Sequence, residues 1–553
     1  MIQKVFPAFA TWQRRSFPLK VKQVPTINLG ALSGLSTADA QCRTFNDNML
    51  QWLTEPTRYH GLQGAGAAKQ TGFSAEDERL MSGTKFSPTP RHLIKAWVYG
   101  FKVSEAAKER CRPVWNTYIN QKLNRACLPH YHLPSLNDVW ETIGRTRHHP
   151  NTIFVQFDVS SMYDHFPLAP EVQQYFGFVA RDGSCQTLTV LPMGFTLACA
   201  IAQSTTWRLL DFERRSTAIS YIDNVAFMGS PEQVHHDVTE FFLRCVTVGF
   251  VLNEVSPRDW LQLSRLQQLT QINDWHHDNF EFLGTRFDWT HGLQMNTPKT
   301  IDKLQVLKSL VVSSASLTLK QLAAVVGVAR YANRISGTSL LEFYPLLETF
   351  RVFAREVALS QDWDRPINLY FKQPLLQWLD EEIRNIPRTI LLRLRPVGMP
   401  FVFTDASTTG WGAVWLDRGT CRTVAGRWLY ERPSSVDAEP AAVVEALQAL
   451  KPFIDHRGVI LITDHLPLVL AAHSAAPRCK AYNDALLHIR GMAIDTRFAF
   501  LSGVNNPADP LSRGIPTINI PQVTQTYGTG WQPALLHENR VCSMCSGRLP
   551  WMV

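Results

Sequence analysis

FVFTDASTTGWGAVW, residues 401–415, reads as one strand that ends on an acid and then turns into a second strand. Phe401, Val402 and Phe403 form an apolar run, and Asp405 follows it. Gly410 and Gly412 mark a tight turn into the next strand. Three more acids lie further along, each at the edge of a regular element. Glu439 opens a helix whose Val443, Ala446, Leu447 and Leu450 share one apolar stripe. Asp464 ends the strand VILIT at 459–463, and Asp509 sits in NNPADPLSR, just before or at the start of a last helix.

Any one of these acids, taken alone, is better read as a helix cap or a solvated charge. Four of them at strand ends and helix starts can converge on one point. Converging carboxylates repel one another unless cations neutralise them. Such a cluster is how proteins hold paired Mg²⁺ for in-line attack on a phosphodiester.

Upstream of a break near Pro396 and Pro400 the pattern changes. Residues 86–290 alternate short β-like runs with helical stretches, and residues 291–395 are mostly helical. IFVQFDVS (153–160) reads as a buried strand carrying Asp158 near its end. VHHDVTEFFLRCVTVGF (234–250) reads as a helix stopped by Gly249. A second amphipathic helix follows Ser316 or Thr318, either of which suits a cap. Residues 1–85 are poorly patterned, with the Gly/Ala-rich patch GLQGAGAAK at 61–69, and form an N-terminal extension of unknown role. A tail occupies 516–553. At 553 residues the chain is too long for one core.

The net charge of +8 favours polyanion partners, because each neutralised phosphate releases counterions. The ten scattered cysteines do not form a disulfide framework, which points to a reducing, intracellular setting, cytoplasmic or nuclear. No stretch approaches the ~20 apolar residues that span a bilayer, so no membrane partner is expected. Cys542 and Cys545, with His537 nearby, have the spacing of half a zinc site, but no fourth ligand is evident. Two free thiols in a tail is the better reading of that pair. Trp411 and Trp415 read as core rather than as a substrate platform.

The four acids resemble those of the ribonuclease H of retroelements. TDASTTGWGAVW, the helix Glu in AEPAAVVEAL, TDH after a strand, and NNPADPLSR match that family in order and spacing across about 396–515. The resemblance implies that Asp405, Glu439, Asp464 and Asp509 bind the nuclease Mg²⁺. One departure is the lack of a His between Ile489 and Asp509.

The central region resembles a reverse transcriptase. FDVSSMYDHFPL (157–168), LPMGFTLACAIAQ (191–203), YIDNVAF (221–227), VGFVLNE (248–254) and FEFLGTRF (280–287) follow one another as that family's motifs do. ERCRPVWNTYINQKL (109–123) resembles its fingers segment. The resemblance implies a multidomain α+β fold: a right-hand polymerase of fingers, palm and helical thumb, followed by an α/β ribonuclease H-like domain. Fingers and palm would occupy 86–290, thumb and connection 291–395, and ribonuclease H 396–515.

It also implies that Asp158 and Asp223 bind two Mg²⁺, or Mn²⁺, with Asn224 as a secondary ligand. Tyr163 would lie under the sugar and exclude a ribose 2′-OH. Met193 and Gly194 would lie beside the nascent base pair, and Arg112 would contact the triphosphate. The implied partners are an RNA template, a DNA primer, an RNA–DNA hybrid and dNTPs, together with an integrase or recombinase of the same element. The motifs look most like those of retrotransposons of the gypsy-like and tyrosine-recombinase groups, the latter DIRS-like and including the VIPER type.

Two departures bear on the polymerase. The family's second Asp of YxDD is Asn224 here, and Asn is a poorer Mg²⁺ ligand than a carboxylate. The Lys that usually follows the GxxLN segment is absent from Asn253-Glu254-Val255-Ser256. Asn224 keeps open a ribonuclease H joined to an impaired polymerase, and a non-enzymatic nucleic-acid-binding protein is the remaining alternative.

Overall fold

The computed structural model describes residues 17–105, 109–124, 128, 130–131, 133–390, 398–474 and 477–515. Cys542, Cys545 and His537 lie outside the described residues, as does the tail from 516 onward. The chain is multidomain α+β and forms two compact units. Within the described residues the first holds 17–294 and 389–390, and the second holds 295–388 and 398–515.

In the first unit a three-stranded antiparallel sheet is built from β3 (Ile153–Asp158), β4 (Thr217–Tyr221) and β5 (Asn224–Gly229), with β5 in the centre. Alternation sends Val155, Phe157, Val225 and Phe227 to one face. There they meet Val234, Val238, Phe241 and Phe242 of α4 (Pro231–Val248). Phe154, Ile219, Ala226 and Met228 go to the other face, against Val139 and Ile143 of α2 (Leu136–Arg147), Phe280 and Phe282 of β6 (Asn279–Phe282) and Phe287 of β7 (Thr285–Asp288). Helix α4 starts on a Ser230–Gln233 capping box and stops at Gly249, whose φ of 100° suits a residue without Cβ.

The extension packs into this same core from Phe17 onward. Leu32, Leu53, Tyr59, Phe73 and Met81 are buried with the sheet residues. Helix α1 (Ala40–Thr54) lies on α3 (Ala198–Leu210), where Asn46 Nδ2 donates to Ser204 Oγ at 3.0 Å and to Thr205 Oγ1 at 3.1 Å. The ERCRPVWNTY segment forms a hairpin strand, β2 (Arg110–Thr117), paired with β1 (Val98–Glu105).

The second unit begins with the helices α5 (Pro298–Ser313), α6 (Leu319–Ser336), α7 (Tyr344–Ser360) and α8 (Lys372–Arg384). Thr318, not Ser316, caps α6, accepting from Gln321 N at 3.2 Å. A five-stranded mixed sheet follows, formed by β8 (Phe401–Ala406), β9 (Gly410–Asp417), β10 (Thr420–Arg427), β11 (Val459–Thr463) and β12 (Thr496–Phe500). Its order is β10-β9-β8-β11-β12; β8, β9 and β10 are antiparallel, and β8, β11 and β12 are parallel.

Helices α9 (Ser435–Leu450) and α10 (Lys480–Gly491) cover one face of this sheet, burying Trp411 and Trp415 as core residues. The short α11 (Asp509–Ser512) covers the other. The expected turn glycines lie inside β9, and the turn itself is Ser407–Thr409. A Cβ at Gly412 would meet Leu511 Cβ at 2.4 Å, and one at Gly410 would meet Gly426 O at 2.6 Å, so packing demands both glycines.

Candidate active sites

Strands β8 and β11 run side by side with Thr404 opposite Thr463. Asp405 and Asp464 each follow by one residue and so emerge at the same sheet end. Helix α9, packed against β8, places Glu439 over them. One oxygen from each of Asp405, Glu439 and Asp464 lies within 4.8 Å of the other two.

Burial pushes Glu439 up to about 8, with Asp464 and Asp405 adding repulsion. Burial likewise lifts Asp405 to about 6 and raises Asp464. Asp405 Oδ2 and Glu439 Oε2 are buried without a hydrogen-bond partner. Buried carboxylates with orphaned oxygens are costly alone and make a donor set for a hard divalent cation.

The fourth expected acid stands at the rim. Asp509 Oδ1 accepts from Arg513 Nε at 3.2 Å and from Arg513 Nη2 at 2.9 Å, while its charge reaches both Asp405 and Asp464. Two residues the sequence did not single out support the cluster. Ser512 lies beside Asp405 and its Oγ donates to Asp509 O at 2.9 Å, and Gly503 lies so close that a Cβ would meet Asp464 Oδ2 at 2.6 Å.

In the first unit, β4 and β5 pair with Tyr221 opposite Asn224, which leaves Ile222 and Asp223 as a two-residue loop. Ile222 has φ +58°, a region β-branched side chains rarely enter. Two side chains of α3 hold it there. Gln203 Oε1 accepts from Ile222 N at 2.6 Å, and Thr206 Oγ1 donates to Ile222 O at 2.6 Å. Gln203 is fully buried and its Nε2 donates to Ser220 Oγ at 3.0 Å.

Asp158, at the end of β3, lies opposite Asn224, and Val159 N donates to Asp223 O at 2.9 Å. The Asp158 and Asp223 side chains therefore meet. Burial, then the charge of Asp158, pushes Asp223 up to about 6. Asp158 Oδ1 is buried without a partner, again the mark of a cation donor set. Asn224 Nδ2 donates to Asp223 Oδ1 at 3.1 Å.

Asn253 and Glu254 close the other side of Asp158. Asn253 Nδ2 donates to Asp158 Oδ2 at 2.7 Å, and Glu254 Oε2 accepts from Asp158 N at 3.0 Å. Burial raises Glu254, and Asp158 adds to it. The sequence displays these residues within VGFVLNE but gives them no task. Gln203 likewise closes LPMGFTLACAIAQ without announcing its role.

Tyr163 is half-buried near this site, and its hydroxyl lies 3.3 Å from Cys199 Sγ. Burial and Cys199 raise it far above the ordinary tyrosine range. Met193 O accepts from Trp115 N at 2.9 Å. Gly194 is exposed with φ +118°, and a Cβ there would meet Trp115 O at 2.0 Å. Its small size thus answers first to the neighbouring strand. Arg112 pairs through Nε with Glu105 Oε1 at 2.7 Å, and its charge reaches Asp223.

Residues 103–287 match the family model described as reverse transcriptase (RNA-dependent DNA polymerase). No curated protein matches the chain. Among solved structures, the chain is similar to foamy viral protease-reverse transcriptase in three states. The dRH form in complex with double-stranded DNA is 11% identical at TM-score 0.44, covering 90% of this chain and 85% of that one. The complex with double-stranded DNA is 13% identical at TM-score 0.44, covering 88% and 99%. The complex with RNA/DNA hybrid is 13% identical at TM-score 0.44, covering 88% and 64%. Among the described residues no helix is long and apolar enough to cross a membrane. The matched span encloses the paired acids Asp158 and Asp223 and the hairpin that carries Asp223, so residues 103–287 are a reverse transcriptase domain.

Proposed function

We propose that this chain copies retrotransposon RNA into DNA and degrades the RNA strand of the resulting hybrid. The observation that carries this reading is the pair of partly buried carboxylate clusters, Asp158 with Asp223 and Asp405 with Glu439 and Asp464, each holding an oxygen that no protein group satisfies. Divalent cations, Mg²⁺ or Mn²⁺, would supply charge neutralisation, activation of the attacking oxygen and stabilisation of the leaving oxygen.

The chain's own groups do the rest. In the polymerase centre Asp158 and Asp223 hold the cations, the clamped Ile222 loop keeps Asp223 against Asp158, and the ring of Tyr163 limits what fits beneath the incoming sugar. In the nuclease centre Asp405, Glu439 and Asp464 hold the cations, and Asp509 adds charge from the rim. The substrates are an RNA template, a DNA primer, dNTPs and the RNA–DNA hybrid, met in the cytoplasm or nucleus. An integrase or recombinase of the same gypsy-like or DIRS-like element completes the cycle.

The test is primer extension on an RNA template, run beside cleavage of RNA in a labelled RNA–DNA hybrid. Both should require a divalent cation and stop in EDTA. Hybrid cleavage that persists in EDTA excludes the nuclease part. A second reading, ribonuclease H with an impaired polymerase, is favoured by Asn224, whose amide sits on Asp223 where the family has a third carboxylate. Cleavage without extension selects that reading.

A further inference from the structure

A side chain from ahead of the matched span reaches the polymerase centre. The chain from Pro18 to Asn28 is anchored at both ends. Cys111 N donates to Pro18 O at 2.9 Å, and Lys20 N donates to Cys111 O at 3.3 Å, which fixes the segment beside β2. His165 Nδ1 lies 2.8 Å from Pro25 O, Ile27 N donates to His165 O at 2.8 Å, and Asn28 N donates to Val248 O at 2.9 Å.

Lys22 falls between these anchors. Its ammonium donates to Asn253 Oδ1 at 2.5 Å, and Asn253 Nδ2 donates to Asp158 Oδ2 at 2.7 Å. An amide side chain has an acceptor end and a donor end. Reversed, it would set its oxygen against a carboxylate and its NH₂ against an ammonium, and both contacts would repel. A cation at the acceptor end therefore decides which end Asp158 meets. Asn253 is tied by its backbone as well, its N donating to Asp158 O at 2.9 Å.

We infer that Lys22 is a positioning residue of the polymerase centre: acting through Asn253, it engages one oxygen of Asp158 and leaves the other, the unpartnered Oδ1, to face a cation. The inference rests on the polymerase reading, and it makes the segment 18–28 part of the catalytic unit. Outer partners that orient a metal ligand are typically worth 10–100-fold in metal affinity or activity.

The experiment uses the full chain carrying Asp405→Asn and Asp464→Asn, so that Mn²⁺ bound to the protein reports the polymerase centre. Mn²⁺ affinity is measured by electron paramagnetic resonance, and primer extension is followed against Mg²⁺ concentration. Lys22→Gln should weaken Mn²⁺ binding by roughly 10–100-fold. It should lower kcat at limiting Mg²⁺, recover at high Mg²⁺, and leave the KM for dNTP unchanged. Lys22→Arg should restore both readouts, and Lys22→Gln should add nothing to Asn253→Ala. Unchanged Mn²⁺ affinity in Lys22→Gln, or losses that add to those of Asn253→Ala, overturns the role. If the parent binds Mn²⁺ and loses it with Lys22→Gln but extends no primer, the positioning role stands and the polymerase reading falls. If the parent binds no Mn²⁺, both fall.

Discussion

Asn224 donates its side-chain amide to Asp223 Oδ1 at 3.1 Å, directly across the sheet from Asp158. The amide quiets one oxygen of Asp223 without adding negative charge. Two divalent ions ~3.5–4 Å apart repel strongly, so the missing charge weakens cation occupancy. The wild-type polymerase is expected to need elevated Mg²⁺ or to prefer Mn²⁺. Asn224→Asp should lower the Mg²⁺ needed for half-maximal primer extension by about tenfold, with hybrid cleavage unchanged. No gain, with wild type already robust at low Mg²⁺, would show that the centre works without a third carboxylate here.

The Gln203 clamp on Ile222 gives a second prediction. Gln203→Leu keeps the shape but leaves Ile222 N without its acceptor, at a cost of about 1–3 kcal/mol. Urea unfolding of the first unit should shift by that amount. Primer extension should fall in kcat, because the φ +58° loop that carries Asp223 loses one of its two side-chain restraints. Hybrid cleavage should not change. Full polymerase activity in Gln203→Leu would mean that strand pairing and the Thr206 hydrogen bond hold the loop without Gln203.

Both α/β regions were legible because Asp158, Asp405 and Asp464 stand at strand ends, where an apolar run followed by Asp marks the place. The strand before Asp158 and the helix stop at Gly249 follow from local patterning of that kind, which also narrows the cap to Ser316 or Thr318. What escaped depends on contacts between distant segments. Lys22 and Asn253 are 231 residues apart, and no periodicity in residues 1–85 announces that pairing. Gly410 and Gly412 read as turn residues, because the collisions of a Cβ with β10 and α11 cannot be seen without the fold. Asp509 reads as an equal fourth ligand, because its pairing with Arg513 is a matter of rotamer.

Tyr163 separates a ring effect from a hydroxyl effect. Its hydroxyl meets Cys199 Sγ at 3.3 Å, so Tyr163→Phe removes that contact and keeps the ring. Discrimination between dNTP and rNTP should be unchanged in Tyr163→Phe. In Tyr163→Ala it should fall by roughly 10–200-fold, the range that steric fit in a pocket supplies. Equal discrimination in wild type and Tyr163→Ala would make Tyr163 a packing residue.

The Asp405, Glu439 and Asp464 cluster would tie cation binding to pH. Glu439 is raised to about 8 and Asp405 to about 6, so the metal-free fold holds protons that the unfolded chain has already released near pH 4–5. The sign follows from linkage: where the folded state binds more protons, stability falls as pH rises. Metal-free protein should therefore lose thermal stability between about pH 5 and pH 8, over and above any slope from other groups. A ligating carboxylate must be deprotonated, so Mg²⁺ should stabilise the second unit more at pH 8 than at pH 6. Glu439→Gln removes the titrating group and should flatten the metal-free slope. Asp464→Asn should abolish hybrid cleavage, by about a thousandfold or more, and should shrink the Mg²⁺-induced rise at pH 8. The check is a thermal-shift series in pH with EDTA or Mg²⁺, set beside the cleavage assay. A Mg²⁺ effect that is equal at both pH values, or a cleavage rate that survives Asp464→Asn, would remove Asp405, Glu439 and Asp464 as the cation-holding set.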